Sequence, residues 1–314
     1  MASDAIVLEQ FALRREVSRL ERMRTGIVRF ARTKPLGFIG GIIVIVLMIM
    51  AVAPGLFTSD DPNIGKISDR LQGTSADHWN GTDQQGRDLF TRIVYGARTS
   101  IVIGFFVVFV SATVASFLGV VSGYFGGWFD MMVQRLVDIG ISLPGLIFII
   151  LVVTSLTQFP PEFLGLSPSY RVVFRIAIAV GILSALSSSR VIRGAAISTK
   201  QNQYVEAARV VGASDARIIV RHIMPNVLAI IIVGASIQIG GAILTESALA
   251  FLGYGVQPPT ASWGRMLNEA REQLARHPHL AVYPGLAIFF TVFSFNMLGD
   301  ALRDVLDPRL RGSR

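Results

Sequence analysis

The chain has 314 residues, 52% of them hydrophobic and only 16% charged, with a mean hydropathy of +0.55. Soluble domains carry roughly 25% charged residues, so the deficit points to lipid-facing surface. The absence of cysteine excludes disulfides, thiolate metal sites and cysteine nucleophiles. A formal net charge of +8 would raise nucleic-acid binding in a soluble protein, but a positive-inside membrane topology accounts for it more simply here.

Residues 5–33 predict a basic helix, with Leu13, Val17, Leu20 and Ile27 at helical spacing and arginines between them. Both a helix lying along lipid headgroups and a solvated helical tail fit this pattern. Residues 1–36 are read as a basic cytoplasmic tail.

A spanning helix needs about 20 mostly apolar residues. The first such run is Gly37–Phe57. Its Ala51-Val52-Ala53 resembles a signal cleavage site, but the run exceeds a signal core and Pro54 follows at once, so it reads as an uncleaved anchor. Residues 58–98 form the largest external loop, with Asp60, Asp61, Asp69, Asp77, Asp83 and Asp88 dispersed among glycines and prolines. Such dispersal predicts a solvated loop rather than a metal site. The second run is Ser100–Tyr124, and the third, Ile139–Thr157, is broken by Pro144. A loop over roughly 158–171 holds Pro160, Pro161 and Pro168. The fourth run, Val172–Ile192, has Arg175 near one end and Ser187–Ser189 near the other. Val227–Gly253 is the fifth and contains Gln238 and Glu246. A loop over 255–282 follows, in which Trp263 sits at the membrane interface or folds over a pore mouth. Tyr283–Leu302 is the sixth, with Asn296 and Asp300 late in it. The fold expected is an all-α membrane protein with six transmembrane helices, residues 99–310 forming its core and 311–314 a short tail.

Six spans put both termini on one side. On that side the N-terminal tail, the loop after the second run, the 190–221 region and the C-terminal tail carry nineteen Lys and Arg, against nine on the other. The excess places both termini and the polar stretch Tyr204–Asn226 in the cytoplasm.

That stretch, YVEAARVVGASDARIIVRHIMPN, is a polar insert between apolar runs. It reads as two short helices broken at Gly212, which suits a left-handed turn. Ser214 is placed to cap the second helix, Asp215–His222, which Pro225 ends while fitting the first turn of the next. A compact helical insert of this kind predicts a docking surface for a soluble partner.

No phosphate-cradling G-x-x-x-x-G-K-[ST] occurs; Gly65-Lys66 is followed by isoleucine and lacks the upstream glycine. The chain therefore shows no means of hydrolysing ATP itself. His78, His222, His277 and His279 form no H-E-x-x-H pair, and no G-x-S-x-G elbow is present. No metal site and no enzyme activity are expected. Arg175, Gln238, Glu246, Asn296 and Asp300 are costly in hydrocarbon, so they should face protein or a water-filled cavity. Gln238, Glu246 and Asn296 are the candidates for a translocation path. For Glu246 a helix–helix hydrogen bond is an equally open reading; Asp300 reads as structural.

The insert resembles the signature of permease subunits of binding-protein-dependent ABC importers: E-A-A, three residues, G, nine residues, then I-x-L-P. Here it stands as Glu206-Ala207-Ala208, Gly212 and Pro225, with His222 where isoleucine is usual and Met224 where leucine is usual. The histidine followed by Ile, Met, Pro and Asn resembles the variant found in the dipeptide/oligopeptide/nickel branch. Five more blocks resemble that branch in order: His78–Arg98, Gly123–Asp138, Ala242–Gly253, Pro258–Leu267 and Asn296–Leu310. The resemblance covers about residues 36–310 and is nearest to the second permease of peptide-importer operons. It implies a type I importer-like permease with cytoplasmic coupling helices at 204–222, in which Glu206, Ala207, Ala208, Gly212, Ala213, Arg217, His222 and Pro225 form the ATPase-coupling surface. It also implies a second homologous permease, two cytoplasmic ATP-binding subunits that hold ATP and Mg, an external substrate-binding protein, and a bacterial or archaeal inner-membrane location with no nucleic-acid partner. Peptides are the implied cargo. Nickel chelates or other solutes remain open, as does a proton-driven carrier using Glu246 or Asp300.

Overall fold

The apolar runs leave no backbone partner but themselves in lipid, so helices are the structure open to them. The computed structural model describes residues 19–157, 159 and 165–306, and among these there are helices and no named strand, one isolated bridge pairing Thr82 with Asp88. The helices are α1 (Arg19–Thr33), α2 (Pro35–Val52), α3 (Leu89–Phe125), α4 (Gly127–Ser142), α5 (Gly145–Ser155), α6 (Pro168–Lys200), α7 (Gln203–Val210), α8 (Asp215–Ile218), α9 (Met224–Phe251), α10 (Trp263–Ala270) and α11 (His279–Leu306). A π turn over Ile219–Ile223 joins α8 to α9. The basic helix expected over 5–33 is seen as α1 from Arg19 onward. Leu13 and Val17, the tail residues 311–314, Arg309, Pro160 and Pro161 lie outside the described residues.

Five helices are long and apolar enough to cross a membrane, and α4 with α5 makes a sixth only as a pair bent by 96°. Close approaches at glycines decide the count. A Cβ on Gly181 would meet Val107 and Val110, one on Gly119 would meet Ser189 and Arg193, and one on Gly123 would meet Arg193 and Ala196. Position therefore rises together along α3 and α6, and the two helices run parallel. Parallel neighbours require the chain between them to cross back, so α4 and α5 together make one crossing. The 11 residues of α5 reach only about 16 Å, short of the roughly 30 Å hydrocarbon core. Similar contacts pair Gly104 with Ile243, Gly240 with Val292, Gly299 with Ile237, and Gly37 with Ala301. These make α9 antiparallel to α3 and α11, and α2 antiparallel to α11. The sum is six crossings, with both ends of the described chain on the face that carries the 203–223 insert.

The α3–α6 seam illustrates how small residues hold membrane helices together. The Gly119 Cβ would lie 2.6 Å from the Ser189 carbonyl oxygen and 2.9 Å from the Arg193 nitrogen, backbone atoms that cannot rotate away. Gly119→Leu is expected to push the helices apart at a cost of about 1–3 kcal/mol or more. Gly194→Leu, where nothing lies within 4 Å, is the matched control. A lower thermal midpoint in detergent for the first variant alone is the expected result; equal midpoints would refute the tight seam.

Several expectations are corrected. The first span ends at Val52, and Pro54–Leu56 forms a 3-10 turn instead of continuing to Phe57. The second helix begins at Leu89, eleven residues before Ser100, so residues 89–98 leave the expected external loop. Asp88 starts it, its Oδ2 accepting the Thr91 N–H at 2.7 Å. The polar Arg92, which hid this start, is 1% exposed and ion-paired. The third span is two helices meeting at Leu143-Pro144, where the extended backbone before proline breaks the helix. The fourth runs on to Lys200, and the 255–282 loop contains α10. Trp263 is not an exposed loop residue: it is fully buried and donates Nε1–H to the Ile93 carbonyl at 2.9 Å.

Most of residues 59–80 of the external loop are exposed, as expected, but its 81–88 end is not solvated chain. Asp83 and Arg87 are buried, and Arg87 Nε donates to Asp83 Oδ2 at 2.6 Å. Glu269 of α10 accepts from Arg87 at 3.1 Å, from Arg92 at 3.3 Å and from Arg265 at 3.1 Å. Gln84 Nε2 donates to the Glu269 carbonyl at 2.8 Å, and Arg70 Nε to the Gln84 carbonyl at 2.6 Å. Loop 58–88, α10 and the start of α3 are thus one folded cap, at the end of the bundle opposite the insert.

Candidate functional site

At the insert end, α7 and α8 form the helix pair read from the sequence. Val211 and Gly212 close α7, and Gly212 has φ +87°, the left-handed conformation that a side chain disfavours. The Ala213 N–H returns to the Ala208 carbonyl at 3.0 Å, which satisfies the helix end. Ser214 occupies the cap position of α8 but makes no side-chain cap bond, contrary to expectation. The second helix does not run as regular α-helix to His222. It changes to π register at Ile219, and the Met224 N–H bonds the Ile219 carbonyl five residues back. Pro225 lacks an N–H, and the wider turn absorbs that gap; Pro225 then sits in the first turn of α9 as its fixed φ allows.

The insert buries one side and presents the other. Val205, Ile218 and Ile223 are buried against Val120, Tyr124, Ile192 and Ala196 of α3 and α6. Glu206, Ala207, Arg217 and Pro225 are exposed, while Ala208, Ala213 and His222 are half-buried. Between the helices, Val210 and Val211 are 87% and 88% exposed. Two neighbouring valines this bare in a tip of otherwise polar residues form an apolar knob.

Tyr124, at the C-terminal end of α3, is the post on which the insert rests, and the sequence reading missed its role. Its ring is 3% exposed, and its hydroxyl donates to Asp215 Oδ1 at 2.5 Å. Lys200 donates to the Tyr124 carbonyl and holds its ammonium 5.4 Å from the ring centre; the Arg209 guanidinium lies 5.9 Å from it. Asp130 of α4 binds Arg193 of α6 through both nitrogens of the fork, and Arg190 pairs with Asp138. A cavity of about 350 Å³ opens beside them, bordered by Asp130, Lys200, Glu206 and Arg209. The only sequence signal was Tyr124's place in the Gly123–Asp138 block, which showed no chemistry by itself.

The three path candidates do not converge on one spot. Gln238 of α9 lines a cavity of about 120 Å³ shared with Ser111 of α3 and Ser188 of α6. Asn296 of α11 is half-buried, and the Gly240–Val292 and Gly299–Ile237 contacts put it level with Gln238. Glu246 is fully buried; Ser247 Oγ donates to its Oε2 at 3.4 Å, and it does not border that cavity. Arg175 binds the Thr157 and Phe159 carbonyls, and Asp300 is exposed.

Residues 115–312 match the family model described as binding-protein-dependent transport system inner membrane component. The chain is 40% identical over 276 residues to the dipeptide transport system permease protein DppC of Alkalihalophilus pseudofirmus, covering 88% of this chain and 86% of that one. It is 39% identical over 282 residues to the glutathione transport system permease protein GsiD of Escherichia coli, covering 90% and 89%. The same figures hold for the GsiD protein of Shigella boydii.

Proposed function

The chain belongs to the inner-membrane components of binding-protein-dependent transport systems, and on that premise we propose that it forms half of a peptide translocation pathway driven by separate ATPases. A second homologous permease supplies the other half. Two cytoplasmic subunits bind ATP and Mg and seat on the 204–222 insert, and an external binding protein delivers cargo to the cap. The termini and insert face the cytoplasm, as the Lys and Arg excess supports. Peptide cargo is supported by the relatives, whose names specify dipeptide and glutathione transport.

The observation that carries the coupling role is the insert's two-sidedness. Its inner face is packed on α3 and α6, and its outer face offers Glu206, Ala207 and the Val210–Val211 knob to a partner. Ala207 and Ala208 permit close approach, and Glu206 gives a polar contact. ATP-driven closure of the ATPases then moves the helices bearing the insert as rigid bodies between inward-open and outward-open states.

Glu206→Lys tests this. Glu206 is exposed, so the variant should insert and fold normally. The expected result is reduced copurification of the ATPase subunits, or ATP hydrolysis no longer matched by uptake. Normal association together with normal coupled uptake would sink the assignment.

A further inference from the structure

Between α3, α6 and α9 lies a half-open cavity of about 120 Å³ bordered by Ser111, Ala115, Ser188, Ile192, Gly234 and Gln238, with exposed Val191 and Ile230 at its edge. Its lining holds polar groups but no charged residue. Ser111 is fully buried, and its hydroxyl has no hydrogen-bond partner. That is unusual for a helical serine or threonine, which ordinarily bonds a carbonyl one turn back. Thr113 does so to Phe109 and Ser236 to Val233, on the same two helices. A buried hydroxyl left unmet costs about 1–3 kcal/mol, so a group that enters the cavity and bonds it is favoured.

We propose that this cavity is a subsite for a neutral amide group of the solute in transit, the claim resting on the peptide-importer reading above. Gln238 presents one N–H₂ donor and one carbonyl acceptor, the complement of a peptide group, and the Ser111 and Ser188 hydroxyls donate or accept as needed. The same lining offers no opposite charge to the charged ends of a peptide, which must therefore stay in water at the open side of the cavity. Gly234 keeps the space open: a Cβ added there would meet nothing within 4 Å.

The lack of native cysteine makes the test clean. Gly234→Cys, where an added Cβ meets nothing within 4 Å, gives this chain a single thiol beside an intact Gln238 in the assembled importer, read by mass on this chain with a water-soluble maleimide. The thiol should label in the resting complex. Labelling should slow by about fivefold when dialanine, its loaded binding protein and ATP are present, a contact worth about one neutral hydrogen bond. Gly234→Leu, which fills the cavity without a backbone clash, should bring dialanine uptake to background while ATP hydrolysis stimulated by the binding protein persists. No labelling in any state, labelling indifferent to dialanine, or undiminished uptake by Gly234→Leu would each overturn the subsite. A wild-type complex that accumulates no dialanine would overturn the peptide reading itself and the subsite with it. Transport by the wild type with unaffected variants defeats the subsite alone.

Discussion

Glu269→Gln is expected to loosen the external cap and destabilise the protein by about 3–5 kcal/mol, the cost of removing one partner from a buried ion cluster. Glu269 accepts from Arg87, Arg92 and Arg265, whereas Asp83 is the only other carboxylate of the group. Without the Glu269 charge, Arg87 and Arg92 share one acid and Arg265 loses its ion pair, and the Arg92 side chain is only 1% exposed. Water cannot take up the excess charge there. The substitution keeps shape and volume, so a loss of stability is electrostatic rather than a packing void. Thermal unfolding in detergent and limited proteolysis across residues 58–88 are the measurements. A protease pattern and midpoint equal to the parent protein's would refute the cluster as the clamp of the cap.

The cap matters because of what it is attached to. The cluster sits on the first turn of α3, and Trp263 bonds the carbonyl of Ile93 one turn on. α3 as a whole runs unbroken for 37 residues, about 55 Å, from that first turn to Phe125, one residue past Tyr124, which holds the insert. One helix thus joins the face where cargo is proposed to arrive to the face where ATPases are proposed to seat. Rigid elements with two discrete arrangements are the physical means by which distant sites bias one another.

The sequence made the crossings legible because apolar runs of span length have few other uses. It made the insert legible because polar helix between such runs is costly unless it lies outside the membrane, and because Gly212 and Pro225 each act through their own backbone chemistry. It misread wherever a charge was neutralised by a distant residue. Arg87 and Arg92 looked like loop residues because their partner, Glu269, lies about 180 positions away in sequence. The same holds for Tyr124, whose partner Asp215 is 91 positions on. Local period and composition carry no signal for such pairings. The 96° bend at Pro144 was half legible: proline marked the break, but not that neither half spans alone. Ser214 shows the converse error: it takes the cap position and extended backbone that the signal implied, yet its side chain makes no cap bond.

Tyr124→Phe should separate assembly from coupling. The variant keeps the buried ring, and with it the packing against Val120 and the cation contacts of Lys200 and Arg209. It removes only the hydroxyl that donates to Asp215 at the start of α8. A hydrogen bond to a charged acceptor contributes about 1.5–3 kcal/mol, so uptake per ATP hydrolysed is expected to fall by about tenfold or more. Folding and ATPase copurification should persist, since Val205, Ile218 and Ile223 still seat the insert. Asp215→Asn retains an acceptor and should keep most of the coupling, whereas Asp215→Ala should behave as Tyr124→Phe does. That ordering across the three variants is what distinguishes a post that transmits motion from a tyrosine that merely fills space. Coupled uptake undiminished in Tyr124→Phe would show that the insert is driven through its apolar seat alone.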